Sequence, residues 1–220
     1  MPRQARLDAP DTLHHVMVRG IERTTIFRDD RDRADFVARL VGLVAQGALT
    51  VYAWALLPNQ AHFLVRTGPR PLARSMRALL TGYAGAFNRR HHRVGHLFQN
   101  RYKSIVVEEE PYLLELVRYL HLNPLRAQVL PDLTALDRYP WTGHSALLGT
   151  VARPWQDTRT ILRQFGPTPT SASSGTLSWA TPAMIFGISW RSQSTSFSGT
   201  SNTSSSCTCM IILVPRCSAS

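Results

Sequence analysis

The chain has 220 residues and a formal net charge of +11, carried almost wholly by arginine, with Lys103 the single lysine. No apolar run reaches the roughly 18 residues that span a bilayer. The cysteines, Cys207, Cys209 and Cys217, all lie at the far C-terminal end, so neither a disulfide nor a thiolate metal site is available to the main body. The first residues, MPRQARLDAP, lack the apolar core of a signal peptide, which suits a soluble protein of a reducing cytoplasm.

The guanidinium fork matches phosphate, so an arginine-dominated chain points to nucleic acid. High genomic GC content would also favour arginine codons, but it leaves the placement of the acids unexplained. Between Asp35 and Glu108 there is no acidic residue, while Arg39, Arg66, Arg70, Arg74, Arg77, Arg89, Arg90, Arg93, Arg101 and Lys103 all fall there. Such a stretch makes one surface strongly positive and its DNA binding steeply salt-dependent; a solvated helix face is the plainer alternative.

In chain order, LHHVMV (13–18) has strand composition and ends at Gly20. Residues 30–49 read as a helix, with Phe36, Leu40, Val41, Leu43 and Val44 at helical spacing behind a charged first turn. TVYAWALLP is a strand rich in β-branched and aromatic residues, a Pro58-Asn59 turn follows, and AHFLVRT is its hairpin partner. Residues 72–90 read as a basic amphipathic helix with Met76, Leu79, Leu80, Tyr83 and Phe87 on its apolar side. A loop, HHRVGHLFQN, leads to a short strand, KSIVVE; then Glu110-Pro111 opens a helix, PYLLELVRYLHLN, that Pro124 must end or bend. The pattern is α+β with a partly antiparallel sheet, of ferredoxin-like size. From Pro167 onward the chain is mostly Ser and Thr, with Arg191 and Arg216 its only charges. This reads as a disordered low-complexity tail or the product of a shifted reading frame.

Two short segments carry candidate chemistry. In a strand, positions two apart share a face, so Gln60 and His62 project together. A Gln oxygen can ligate a hard cation such as Mg²⁺ or Mn²⁺, more weakly than an imidazole ligates softer metals; a half-buried histidine with a backbone partner is the alternative. On the later helix, Tyr119 and Asn123 are four apart and share a face. A tyrosine hydroxyl attacking a phosphodiester forms a 5′-phosphotyrosine bond and frees a 3′-hydroxyl, keeping the phosphoryl bond available for rejoining. A divalent ion would polarise that phosphate and nearby arginines would offset its charge; a packed core aromatic is the other role open to Tyr119. Arg89, Arg90, His91, Arg93, Arg101 and Lys103 are candidates for phosphate contact. Phe87, Phe98 and Tyr102 between them could stack on unpaired bases or pack helix on sheet. His121, two positions from Tyr119, faces elsewhere and reads as structural, while Glu108 to Glu110 complement the helix dipole.

Several stretches in order, HHVMVRGIERTTIFRDD, AWALLPNQAHFLV, FNRRHHRVGHLFQNRYKSIVVEEEPYLLELVRYLHLNPLRA and YPWTGHSALLG, together resemble the HUH single-tyrosine transposases. The likeness is to the REP-associated branch of the insertion-sequence-200-like family and runs from about residue 9 to 165. The resemblance implies a ferredoxin-like antiparallel sheet with helices on one face. A catalytic and DNA-binding domain would span 1–130, with a C-terminal extension over 131–166 packing on it, ahead of the tail at 167–220. It implies Tyr119 as nucleophile, His62 and Asn123 as ligands of a divalent Mg or Mn ion, and Gln60 where the family has its first histidine. Arg89, Arg90, Arg93, Arg101 and Lys103 would bind DNA. Single-stranded or hairpin DNA is the implied partner, without a membrane, for a monomer or homodimer. The alternative is a degenerate or domesticated relative that binds hairpin DNA without cutting it. A replication or mobilisation nuclease fits less well, because no helicase or relaxase extension is recognisable.

Overall fold

The computed structural model describes residues 9–107 and 113–164; the Ser/Thr-rich tail and Glu108 to Glu110 lie outside them. Strand β1 (Leu13–Arg19) leads through a 3₁₀ turn (Ile21–Arg23) to helix α1 (Asp30–Ala45). Strands β2 (Leu49–Leu57) and β3 (Gln60–Thr67) form a hairpin, followed by α2 (Leu72–Arg90) and β4 (Lys103–Val106). Helix α3 (Leu113–Arg126) is followed by the short helices α4 (Leu133–Arg138), α5 (His144–Leu147) and α6 (Thr158–Arg163).

The strands form one antiparallel sheet in the order β2-β3-β1-β4. That order, with β1-α1-β2-β3-α2-β4 along the chain, is the split βαβ arrangement of ferredoxin-like domains, as the α+β pattern predicts. Local sequence explains the boundaries. Asp29 caps α1 by accepting from the Asp32 amide at 3.0 Å, and Gly47, at φ +65°, provides the left-handed residue that ends it. Helix α1 stops at Ala45, short of the expected residue 49, because Leu49 is already paired in β2. Pro124 does not end α3 ahead of itself. It sits inside the last turn, where only one helical N–H, that directed at Leu120, is lost, and α3 stops at Arg126.

Strict alternation along β1 and β3 divides the molecule into two cores. Val16, Val18, Ala61, Phe63 and Val65 meet the apolar faces of α1 and α2, where Phe36 stacks on Phe63 with ring centroids 5.7 Å apart. Leu13 and Leu64 turn the other way and pack with Val117 and Leu120 of α3. The expectation of helices on one face thus describes α1 and α2, while α3 covers the opposite face. A bulge between Val51 and Ala53 lets β2 serve both cores.

Residues beyond α4 run along the outer edge of β2. The Leu56 amide donates to Trp141 O (2.9 Å), the Gly143 amide to Trp54 O (2.9 Å) and the Asp157 amide to Val51 O (2.8 Å). Buried Gln156 links the two pieces: it accepts from Trp54 Nε1 at 3.0 Å and donates to Tyr52 O and Gly143 O, each at 3.2 Å. Replacing Gln156 by Leu strands a buried indole N–H and removes a donor from Tyr52 O and from Gly143 O, of which Gly143 O keeps the Leu147 amide. A loss of about 3 kcal/mol in unfolding free energy is expected from a urea titration; a loss near zero would show that these bonds do not hold the extension to β2.

Candidate active site

β3 begins immediately after the Pro58-Asn59 turn, so Gln60 and His62 stand at its entry, two residues apart and on the α3 face of the sheet. Gln60 is half-exposed and His62 is buried. Their side chains touch: His62 Nε2 lies 3.3 Å from Gln60 Oε1. On its other edge, His62 Nδ1 lies 3.4 Å from Nε2 of His15, a β1 residue. His15 is paired with Leu64, one step along the same face from His62.

Helix α3 crosses above these strands and lowers Tyr119 onto them. The phenol ring stands edge-on to both imidazoles, with centroids 6.5 Å from His62 and 6.3 Å from His15. Asn123 follows one turn on, buried, with its Nδ2 lacking a hydrogen-bond partner. Arg126, seven residues after Tyr119 and so again on its face, places its guanidinium 5.2 Å from the Tyr119 ring centroid.

The electrostatics of the cluster are set by burial. Desolvation holds the pKa of His62 near 3, with neighbouring His15 adding to the effect, and holds that of His15 near 4. Both rings are therefore neutral at physiological pH and offer lone pairs rather than charge. Burial raises the Tyr119 phenol above its ordinary value, and Arg126 pulls it back. Among the described residues, no three His, Cys, Asp or Glu side chains converge as a metal site. The donors available around Tyr119 are an imidazole nitrogen and amide oxygens, a neutral set. Buried Asn123 has an amide nitrogen without a hydrogen-bond partner, a donor that an incoming oxygen such as that of a phosphate would satisfy.

Positive charge reaches this face from the ladder. Arg19 is paired with Gln60, and Lys103 is paired with Met17, itself the partner of His62; directly paired residues share a face, so both cations flank the His62 row. Both are exposed.

The other candidates disperse. Arg89 and Arg101 are exposed, but Arg90 is committed to Asp29 and to buried Asp32, and His91 Nε2 lies 2.9 Å from Asp32 Oδ2. This cluster ties the start of α1 to the end of α2. Arg93 lies over Phe87, 5.9 Å from its centroid. Phe87 and Tyr102 are core residues and Phe98 packs partly against them, so packing, not display to bases, is the role of the first two. His121 is fully buried on the far side of α3 from Tyr119, 5.9 Å from His144, which meets Asp137 at 3.0 Å.

Sequence reasoning missed His15, Arg126 and Arg19. The same-face signals were present: alternation puts His15 and Arg19 on one face of β1, and a seven-residue spacing puts Arg126 in line with Tyr119. What sequence lacked was the pairing of β1 with β3, which alone brings His15 to His62.

No protein-family model matches the chain, and no curated protein matches it. Among solved structures it is similar to a REP-associated tyrosine transposase bound to a REP hairpin, with 12% sequence identity and a TM-score of 0.57 over 72% of this chain and 90% of that one. A protein from Deinococcus radiodurans R1 assigned as a transposase aligns at 18% identity and a TM-score of 0.37, over 58% of this chain and 92% of the other. At these identities the likeness concerns backbone architecture: the chain has the fold of a REP-associated tyrosine transposase.

Proposed function

We propose that this protein is a member of the HUH single-tyrosine transposases that cleaves and rejoins single-stranded or hairpin DNA through Tyr119. The observation that carries this reading is the descent of Tyr119 from α3 onto His62 and His15, with Gln60 against His62, on a face flanked by Arg19, Lys103 and Arg126. A half-buried aromatic serving only as packing would not need polar side chains on the strands beneath it.

In the reaction, Tyr119 Oη attacks the scissile phosphorus, the P–O3′ bond breaks, and the DNA 5′ end is held as a phosphotyrosine. The proton lost from the phenol is matched by the one gained at the 3′-hydroxyl, so strand exchange is balanced in both directions. Arg126 stabilises the phenolate as it forms, opposing the effect of burial. Arg19 and Lys103 would hold the flanking phosphates. His62, with the amide oxygens of Gln60 and Asn123, would hold a divalent Mg or Mn ion; bound there, it supplies positive charge to the non-bridging phosphate oxygens. A donor set without a carboxylate binds such an ion weakly, and the amide oxygen of Gln60 adds a weaker bond than the family's imidazole would, which raises the metal requirement.

A second reading, hairpin binding without cleavage, is favoured by that same weak donor set. A labelled single-stranded hairpin incubated with protein and metal, then run on a denaturing gel, separates the two. The expected result is a covalent adduct that needs Mn²⁺ or high Mg²⁺, vanishes in Tyr119→Phe, and forms at lower metal concentration in Gln60→His. An adduct formed by Tyr119→Phe would overturn the nucleophile; hairpin binding with no adduct under any condition would establish the binding-only reading.

The neutral imidazoles also fix a pH dependence. His15 and His62 titrate near 4 and 3 when folded, below the ordinary 6.5. Their contribution to stability is therefore complete above pH 6.5 and is lost as pH falls, because the unfolded chain takes up protons that the folded one refuses. At pH 5 each costs about 2 kcal/mol relative to pH 7. Urea titrations of His62→Gln between pH 6.5 and 4.5 should show an acid limb shallower by about 1 kcal/mol per pH unit; an unchanged slope would mean that His62 is not held neutral.

A further inference from the structure

His62 offers its two ring nitrogens to two different neighbours, Nε2 to Gln60 Oε1 at 3.3 Å and Nδ1 to His15 Nε2 at 3.4 Å. We propose that His15 is a positioning residue for the cation site: its Nε2 accepts the Nδ1–H of His62, and so leaves the Nε2 lone pair of His62 turned toward Gln60 for a divalent ion. The inference rests on the metal role of His62 proposed above.

A ligating imidazole needs its second nitrogen held, usually by a carboxylate or a carbonyl, to fix both its tautomer and its ring orientation. No acidic residue occurs between Asp35 and Glu108, so β2, β3 and β4 supply no carboxylate, and β1 itself (LHHVMVR) contains none. His15 fills the place. It is 3% exposed, its ring stacks on His62 at 5.6 Å between centroids and 29° between planes, and the edge of Tyr119 closes it from above. Its Nδ1 is buried without a hydrogen-bond partner, so its polar contact with the site runs through Nε2.

Two proton arrangements satisfy this pair of neutral rings. With a proton on His15 Nε2, His62 accepts at Nδ1 and carries its own proton on Nε2, directed at Gln60. With the proton on His62 Nδ1, His15 accepts at Nε2 and carries its proton on Nδ1. Only the second leaves His62 Nε2 open to a cation. Cation binding therefore drives both rings from the first arrangement to the second together, without a change in their total proton number.

The test uses the full chain and Mn²⁺ alone, with binding followed by electron paramagnetic resonance. His15→Phe keeps a ring against His62 and Tyr119 but removes the acceptor, and should weaken Mn²⁺ binding by roughly 10- to 100-fold. His15→Gln, whose amide oxygen reaches the position of Nε2, should bind close to the unaltered protein. Long-range proton–nitrogen NMR of the unaltered protein with Mg²⁺ should show His62 losing its Nε2 proton and gaining one at Nδ1, with His15 changing in step. Equal Mn²⁺ affinity in His15→Phe, or unchanged tautomers on Mg²⁺ saturation, would overturn the proposal. If His15→Phe does not fold, the tautomer spectra decide alone. An unaltered protein that binds no Mn²⁺ yet forms the Tyr119 adduct would remove this proposal and the cation together, leaving the tyrosine chemistry standing.

Discussion

The antiparallel register between β1 and β3 is the constraint on which the remaining features depend. Pairing Met17 with His62 and Arg19 with Gln60 puts His15 diagonally beside His62 and aims all of them at α3. The same pairing aims Val16, Val18, Phe63 and Val65 at α1 and α2. A slip of β3 by one residue would turn His62 into the larger core and Phe63 toward the tyrosine. Apolar burial on one face thus specifies polar geometry on the other, and the site needs no separate device to hold its strands in line.

Onto that face α3 brings a compromise. Val117 and Leu120 must be buried for the helix to dock on Leu13 and Leu64, and Tyr119 between them is half-buried as a result. Burial opposes ionisation of the phenol, and Arg126 works against burial from the last turn of α3. Pro124, close to that end, releases the backbone after Arg126 instead of interrupting the segment that carries Tyr119 and Asn123. The cluster as a whole is neutral at its centre and positive at its margins, an arrangement suited to an anionic polymer that brings its own negative charge.

Much of the fold was legible because its segments are locally unambiguous. The helix over 72–90 coincides with α2, and the Pro58-Asn59 turn places the hairpin. Spacing alone put Gln60 with His62, and Tyr119 with Asn123, on shared faces. What remained hidden needed tertiary contact. His15 reads as one of two adjacent histidines in a strand, and only the β1–β3 pairing tells it from His14, which faces the other way. Arg90 reads as one more cation in a basic stretch, yet Asp29 and Asp32, distant in sequence, occupy it. Aromatics interleaved with arginine look the same whether they stack on bases or pack a core; burial decided for the core at Phe87 and Tyr102.

The contacts along β2 have a consequence for association between molecules. An open sheet has two borders, and an unpaired border invites a strand from another chain. Here one border is occupied by the backbone at Trp141, Gly143 and Asp157. The other, β4, is only four residues long and begins at exposed Lys103. One side is protected by cover and the other by brevity and charge, so a molecule that lost its residues beyond α4 would expose its longest strand to its neighbours and become prone to stick to its own kind.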